Sequence, residues 1–314
     1  MITFNRPDFT RQVLEEVMKL PPSELYVFQD GPREGRNDET RHKEVRTIIE
    51  EATKGSSAHV HTFYSSTNLG CGPGPAAALS WFFSEVTEGI ILEDDAVPHP
   101  DFFPYAAQLL QYYRNDETIK AIGSMNVDRQ KWGDGSYYFS MMNRNLCAWA
   151  TWRRAWQYFD IRLAQTFRSD LSRALRRYGC GPLERDYWCD RLDDVHRDGV
   201  GNSSWDMQFF MSIWLQHGKG IIPNVNLSSN IGTTMDATHP LGQGNIIDRV
   251  PTESILPLRH PSSKEIVGEA DRQFNFLYFQ PGREGWKKWD VCRYLLSKQL
   301  KKIVGHTGPW RKKR

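Results

Sequence analysis

Residues 89–100 read Gly-Ile-Ile-Leu-Glu-Asp-Asp-Ala-Val-Pro-His-Pro, and the fold class turns on them. Ile90, Ile91 and Leu92 form a short apolar, largely β-branched run, the pattern of a strand buried on both faces. Three carboxylates follow at once: Glu93, Asp94 and Asp95. Pro98 and Pro100 are expected to stop the chain continuing as regular structure. Three negative charges therefore fall at the carboxyl end of a buried strand. In an open parallel α/β sheet that edge is where ligands bind. Carboxylates this close repel one another unless a cation sits among them, and hard divalent cations take oxygen ligands. A bare acidic triplet reads first as a solvated turn. The strand before it and the prolines after it favour a metal site.

Upstream, strand and helix patterns alternate at short spacing. Ile2-Thr3-Phe4 reads as the end of a strand, less than the roughly five residues usual in a sheet. Its start lies upstream or the strand is short. Asn5-Arg6-Pro7-Asp8 opens a helix, with Pro7 near the first helical position. Phe9, Val13, Leu14, Val17 and Leu20 share its apolar face. Residues 25–28 form the next strand, closed by the turn signal Gln29-Asp30-Gly31-Pro32. A polar helix over 39–53, a strand over 60–64, a Gly/Pro loop over 68–75 and a helix through Leu79, Phe82, Phe83 and Val86 lead into the acidic strand. This β-α-β-α-β-α-β order predicts a parallel, doubly wound sheet with right-handed connections. The glycine loop does not have the dinucleotide-binding spacing, and no P-loop signature occurs.

Downstream, the pattern predicts a helix over 102–113, a strand over 121–126 and a short strand over 137–140. An aromatic-rich segment follows over 149–158. The charged stretch 162–197 suggests an exposed helix. An amphipathic helix spans 205–216, with Asn202-Ser203-Ser204 as its cap. Residues 221–227 are extended, 249–285 are Pro-rich and loop-like, and 286–304 are a helix candidate. Trp149, Trp152 and Trp156, spaced by three and four, favour a packed helical stripe over rings that stack on sugars.

The chain has 314 residues, enough for one large α/β domain or two smaller ones. No run of about 18 apolar residues marks a membrane span, and the polar start Met-Ile-Thr-Phe-Asn-Arg is not a signal segment. Five cysteines (71, 147, 180, 189, 292) form no CxxC pair, which suggests reduced thiols in a cytosolic compartment. The net charge of +2 is uneven. Residues 283–314 hold eleven Lys/Arg against two acids, a net of +9, so residues 1–282 carry −7. In the tail Trp286, Trp289, Leu296, Leu300 and Ile303 fall on one helical stripe flanked by basic residues. That pattern suits an anionic membrane surface, or a helix packed on the domain. No nucleic-acid recognition module is visible.

The segment Ile-Ile-Leu-Glu-Asp-Asp-Ala-Val-Pro-His-Pro-Asp-Phe-Phe resembles the GT-A glycosyltransferases. Asn5-Arg6-Pro7 and Gln29-Asp30 precede it in the same order. Ala121-Ile-Gly-Ser-Met-Asn126, Trp149–Trp156, Ser204-Trp-Asp206, Pro223 and Asn230-Ile-Gly232 follow it. It is similar to bacterial nucleotide-diphospho-sugar transferases and to the mannosyl-glycoprotein N-acetylglucosaminyltransferase I family. The resemblance spans roughly residues 1–245. It implies an α/β GT-A fold with a mostly parallel central sheet and helices on both faces. The catalytic domain would be 1–248, its nucleotide-binding half 1–126 and its acceptor half 127–248, followed by a loop-rich extension over 249–282 and the basic tail.

The resemblance also assigns roles. Asp95 would touch a Mn²⁺ or Mg²⁺ ion, with Asp94 on the ribose or a metal-bound water and Glu93 supporting the turn. Asp30 would accept from the uracil of a UDP-sugar, although an Asp in this sequence is also an ordinary turn residue. Arg6 would contact the nucleotide; its charge at a helix start is otherwise mildly unfavourable. Asp206 would be the general base that takes a proton from an acceptor hydroxyl, although an Asp in a first helical turn is stabilising by itself. His239 would contact the metal or the diphosphate. The implied activity is sugar transfer, with inversion, from a nucleotide-diphosphate sugar to a glycan or lipid-linked glycan. The protein would be cytoplasmic, with possible peripheral contact on the inner face of the membrane through 283–314. A non-catalytic nucleotide- or glycan-binding protein is the alternative. A glycoside hydrolase fits less well, because it needs two carboxylates flanking the sugar rather than a triplet on one turn.

Overall fold

The computed structural model describes residues 1–142, 147–199, 205–232 and 249–278. The chain divides into two compact units, Met1–Asp271 and Arg272–Arg314. His239, the proposed cap 202–204 and the basic tail lie outside the described residues.

The first half alternates as its periodicity predicts: β1 (Ile2–Thr3), α1 (Pro7–Met18), β2 (Glu24–Gln29), α2 (Glu39–Thr53), β3 (His59–Tyr64), α3 (Pro73–Glu85) and β4 (Glu88–Leu92). Then come β5 (Ala96–Pro98), α4 (Phe102–Tyr112), β6 (Ile119–Gly123), β7 (Tyr137–Ser140), β8 (Ala148–Trp152) and α5 (Arg153–Trp156). The helices α6 (Arg168–Arg177), α7 (Pro182–Asp198) and α8 (Asp206–Leu215) follow, with β9 (Lys219–Pro223), β10 (Ser228–Asn230) and α9 (Gly268–Tyr278).

Strands β1, β2 and β3 pair in parallel. A parallel bridge from Ile2 to Glu93 joins them to the strand order β4-β8-β6-β9-β7. Across that second sheet β8 and β7 run against their neighbours, while β6 and β9 are parallel. The sheet is thus mainly parallel with two reversed strands. The reversals fall in the second half, where β8 and β7 pair antiparallel with strands far from them in sequence.

Burial separates the two faces of the sheet. On one, Phe102, Tyr105 and Leu109 of α4 pack with Leu92, Ile122 and Trp152. On the other, Leu79 and Phe83 of α3 and Phe209 and Ile213 of α8 pack with Ile91, Ala121 and Trp149. Trp149 and Trp152 lie three residues apart on a strand, so they point to opposite faces. The expected helical stripe is replaced by β8, whose Trp residues are both fully buried.

Other expectations change for stated reasons. Pro98 does not end regular structure; it closes the short strand β5, which pairs antiparallel with β10. Proline is tolerated at a strand end because no ladder N–H is needed there. Leu20 lies past the end of α1 and is 60 % exposed rather than on its buried face. The charged stretch 162–197 carries two helices whose Leu171, Leu175, Trp188 and Leu192 are buried. The helix over 205–216 is not amphipathic, since every residue from Gln208 to Trp214 is buried in α8. Part of the segment expected as loop, 268–278, is α9.

Candidate functional site

The site lies where β1, β2 and β4 end. Leu92 is the last residue of β4, and Glu93 to Asp95 turn the chain, closed by Ala96 N donating to Glu93 O at 3.1 Å. The turn brings Asp94 back against the end of β1, where Phe4 N donates to Asp94 Oδ2 at 3.3 Å. Arg6 comes from the β1–α1 connection and forks over two acids. One guanidinium nitrogen donates to Asp95 Oδ2 at 2.9 Å, and another pairs with Asp94 Oδ1. Arg6 is thus the cation that the triplet demands, supplied by the chain itself.

The acids are held out of water. The Asp94 side chain is 3 % exposed and that of Asp95 11 %. Burial pushes the Asp94 carboxyl up, against the pull of Arg6. Glu93 is pushed up to about 8, first by burial and next by Asp95, with Arg6 opposing. The charge of Asp206 also raises Glu93, so Asp206, half-buried in the first turn of α8, acts electrostatically on the triplet. Asp206 is placed by its neighbour Trp205, whose ring stacks on Trp149 of β8 at 5.7 Å between centroids. A strand buried at every residue therefore positions the candidate base.

Asp95 has a second feature. Its Oδ1 is buried and makes no hydrogen bond. A bare buried carboxylate oxygen is costly unless a ligand completes it. Opposite it stands Gly232, where an added Cβ would lie 2.0 Å from Asp95 Oδ2. Ile231 N donates to the Asp95 carbonyl at 2.9 Å, fixing this approach. In the sequence Asn230-Ile-Gly232 stands only as a motif; in the structure Gly232 lets backbone lie against the carboxylate, as glycine permits. Gly232→Ala is expected to displace Asp95 and to weaken the divalent-ion binding proposed below at least tenfold, with near-wild-type far-UV circular dichroism. Titration of Mn²⁺ by calorimetry checks this.

Cys147 also belongs to this neighbourhood without having been expected there. It is buried, takes a left-handed backbone (φ 63°), and its Sγ accepts from Asn230 Nδ2 at 3.3 Å. Burial, followed by the charge of Asp95, holds its thiol well above the usual range. It is a packing thiol, not a nucleophile.

Asp30 ends β2 on the same sheet edge, but its carboxylate is engaged. Oδ1 accepts from Gly31 N at 2.9 Å and Leu69 N at 2.8 Å; Oδ2 accepts from Gly70 N and Asn68 Nδ2, both at 3.0 Å. Asp30 thus holds the Gly/Pro loop 68–70 in place. Any contact to a base must be made alongside these four bonds.

Among the described residues no three His, Cys, Asp or Glu side chains converge on a metal position. A Mg²⁺-type ion needs only one or two protein carboxylates when substrate phosphates and water complete its shell. The bare Asp95 Oδ1 and the adjacent Asp94 fit that donor set.

No protein-family model matches the chain, and no curated protein matches it. Among solved structures the chain is similar to apo-UDP-glucose pyrophosphorylase, at 12 % identity over 71 % of this chain and 81 % of that one, with a TM-score of 0.37. Fold and site together define an α/β chain with a buried carboxylate cluster at the carboxyl edge of a mainly parallel sheet. Among the described residues no helix is long and apolar enough to cross a membrane.

Proposed function

We propose that the chain is a metal-dependent glycosyltransferase of the GT-A type, moving a sugar with inversion from a nucleotide-diphosphate sugar to a glycan hydroxyl. The observation that carries this reading is the bare, buried Asp95 Oδ1, set beside Asp94 and Glu93 at the strand ends where α/β sheets bind ligands. Asp95 and Asp94 would hold Mn²⁺ or Mg²⁺, which acts as a Lewis acid on the leaving diphosphate when bound. Arg6, which forks over Asp94 and Asp95 at the same strand ends, would pair with the same diphosphate. Asp206 would take the proton of the acceptor hydroxyl as the new bond forms. UDP is the favoured nucleotide, with Asp30 and its loop on the base side. A peripheral contact between the basic tail and a cytoplasmic membrane face belongs to the same proposal.

A panel of nucleotide sugars assayed for nucleoside diphosphate release, with and without Mn²⁺, tests the reading. One donor is expected to turn over only with metal. Asp206→Asn is expected to keep donor binding within about threefold and to lower kcat by about 10²–10⁴. Full activity in that variant would move the base elsewhere. The alternative, a non-catalytic nucleotide- or glycan-binding chain, draws on one observation. Arg6 already pairs with both aspartates and offsets part of their charge, which a binding protein without metal also requires.

A further inference from the structure

Strands β4 and β6 both run antiparallel to β8, so they run parallel to each other, and β9 is parallel to β6. Their carboxyl ends therefore share one sheet edge. The acidic turn follows β4 there, residues 124–126 follow β6, and residues 224–226 follow β9. Strands β4 and β6 are two spacings apart, roughly 10 Å. Helix α8 reaches β9 through residues 216–218 and packs its Phe209 and Ile213 with Ala121 and Trp149. It thus runs back along the sheet, which sets its first residue, Asp206, at the same edge.

The connection from β6 to β7 is firmly held at that edge. Asn224 Oδ1 accepts from Trp132 N at 2.8 Å, and its Nδ2 donates to Trp132 O at 2.8 Å and to Gly135 O at 2.9 Å. Asn226 Oδ1 accepts from Asn126 N at 3.2 Å. Inside the connection, Asn126 Nδ2 donates to Gln130 O at 2.9 Å, and Gln130 N donates to Asp128 Oδ1 at 3.1 Å. Asn126 and Asp128 thus clasp one residue between them. Trp132 packs against the cluster that holds Tyr138 and Ile222. Ile221 lies on the α4 face, so Ile222, the next residue of β9, places Trp132 on the face that carries α8 and Asp206.

Three polar atoms of this connection are left over. Asn126 Oδ1, Asp128 Oδ2 and Trp132 Nε1 are buried and make no hydrogen bond. Asn126 as a whole is 0 % exposed. Buried polar groups in folded chains are ordinarily paired, so three unpaired ones within residues 126–132 point to a ligand. Their chemistry selects it. The two oxygens only accept, and the indole N–H only donates. A phosphate would set its own oxygens against two others, and a cation would meet the N–H. A sugar hydroxyl both donates and accepts. The half-buried indole ring adds an apolar flank for the C–H face of a sugar.

We infer that the β6–β7 connection is a sugar-binding subsite, in which Asn126 and Asp128 accept from ring hydroxyls and Trp132 Nε1 donates to one. Its place on the same edge and face as Asp206 makes that sugar the acceptor. This second step rests on the glycosyl-transfer reading; the first does not.

The test follows the indole N–H resonance of Trp132, assigned by its loss in Trp132→Phe. Methyl glycosides of glucose, galactose, mannose and N-acetylglucosamine are titrated into the intact protein, with and without UDP and Mn²⁺. At least one glycoside is expected to shift that resonance saturably. Asp128→Asn keeps an oxygen for Gln130 N and turns the second acceptor into a donor. It is expected to weaken that glycoside by about tenfold or more, the loss of a hydrogen bond to a charged group. Tm and the affinity for UDP in Mn²⁺ are expected to stay close to those of the parent. A resonance that no glycoside moves overturns the proposal and leaves the three atoms to water. Equal glycoside affinity in Asp128→Asn overturns it too, as does a shift produced by inorganic phosphate or Mg²⁺ but by no glycoside. Glycoside binding without any UDP binding keeps the sugar subsite and removes the donor reading. UDP binding in Mn²⁺ with no glycoside shift does the reverse.

Discussion

Asp95→Ala is expected to abolish metal-dependent binding of a nucleoside diphosphate, lowering its affinity in Mn²⁺ by about 100-fold or more. Loss of a residue that merely orients a metal ligand costs about 10–100-fold, so loss of Asp95, the proposed ligand, is expected to cost at least that. Asp95 contributes the one carboxylate oxygen of the cluster that is both buried and unbonded. Its other oxygen is tied to Arg6 at 2.9 Å and lies where a side chain at Gly232 would stand. Asp95→Asn keeps the shape and loses the charge, and is expected to fail in the same way. Asp30→Asn is the contrast. Its carboxylate organises the 68–70 loop through four hydrogen bonds, so it is expected to weaken nucleotide binding without removing the metal dependence. Isothermal titration with UDP, with and without Mn²⁺, separates the two.

Arg6→Ala is expected to destabilise the metal-free protein by about 3–5 kcal/mol, the cost of removing one partner from a buried charge cluster. For a chain of this size that lowers Tm by about 5–8 °C. Divalent metal is expected to restore much of it, because Mn²⁺ replaces the lost positive charge. The pH dependence has a definite sign. Glu93 titrates near 8 in the folded protein against an ordinary 4.5. Between those values the native state keeps a proton that the unfolded chain has released, so metal-free stability falls as pH rises through the window. Arg6 opposes that rise in Glu93, so its removal extends the fall to higher pH, and bound Mn²⁺ is expected to shorten it. Thermal melts from pH 5 to above 8 read all three. An Arg6→Ala protein as stable as the parent without metal would mean that the acids need no cation.

The acidic stretch was readable because two independent signals coincide there: an apolar β-branched run and an abrupt stop in charge. Helices α1 and α3 followed from apolar residues at helical spacing, with Pro near their starts. The second half of the sheet was less legible. The pairs β8–β4 and β9–β7 join residues far apart in sequence, and nothing local records an antiparallel partner. The Trp149–Trp152–Trp156 spacing misled because separations of three and four do not distinguish a helix from a strand that runs into one. Burial of α8 on all sides hid its role, since a helix enclosed by other elements has no polar face to reveal its period. In the site, the acids were visible as residue types. The fork of Arg6 over Asp94 and Asp95 and the approach of Gly232 are tertiary contacts without a sequence signal. Likewise the occupation of Asp30 by loop amides depends on the path of 68–70, which the Gly/Pro composition leaves open.

The central claim is that the carboxylate cluster becomes a nucleotide-diphosphate site when a divalent ion joins it. Calorimetric titration of UDP into the intact protein, in Mn²⁺ and then in excess chelator, tests this most directly. Binding at one site per chain in Mn²⁺ that disappears in chelator is the predicted result. Binding that is equal in the two conditions, or absent from both for every nucleoside diphosphate tried, contradicts it.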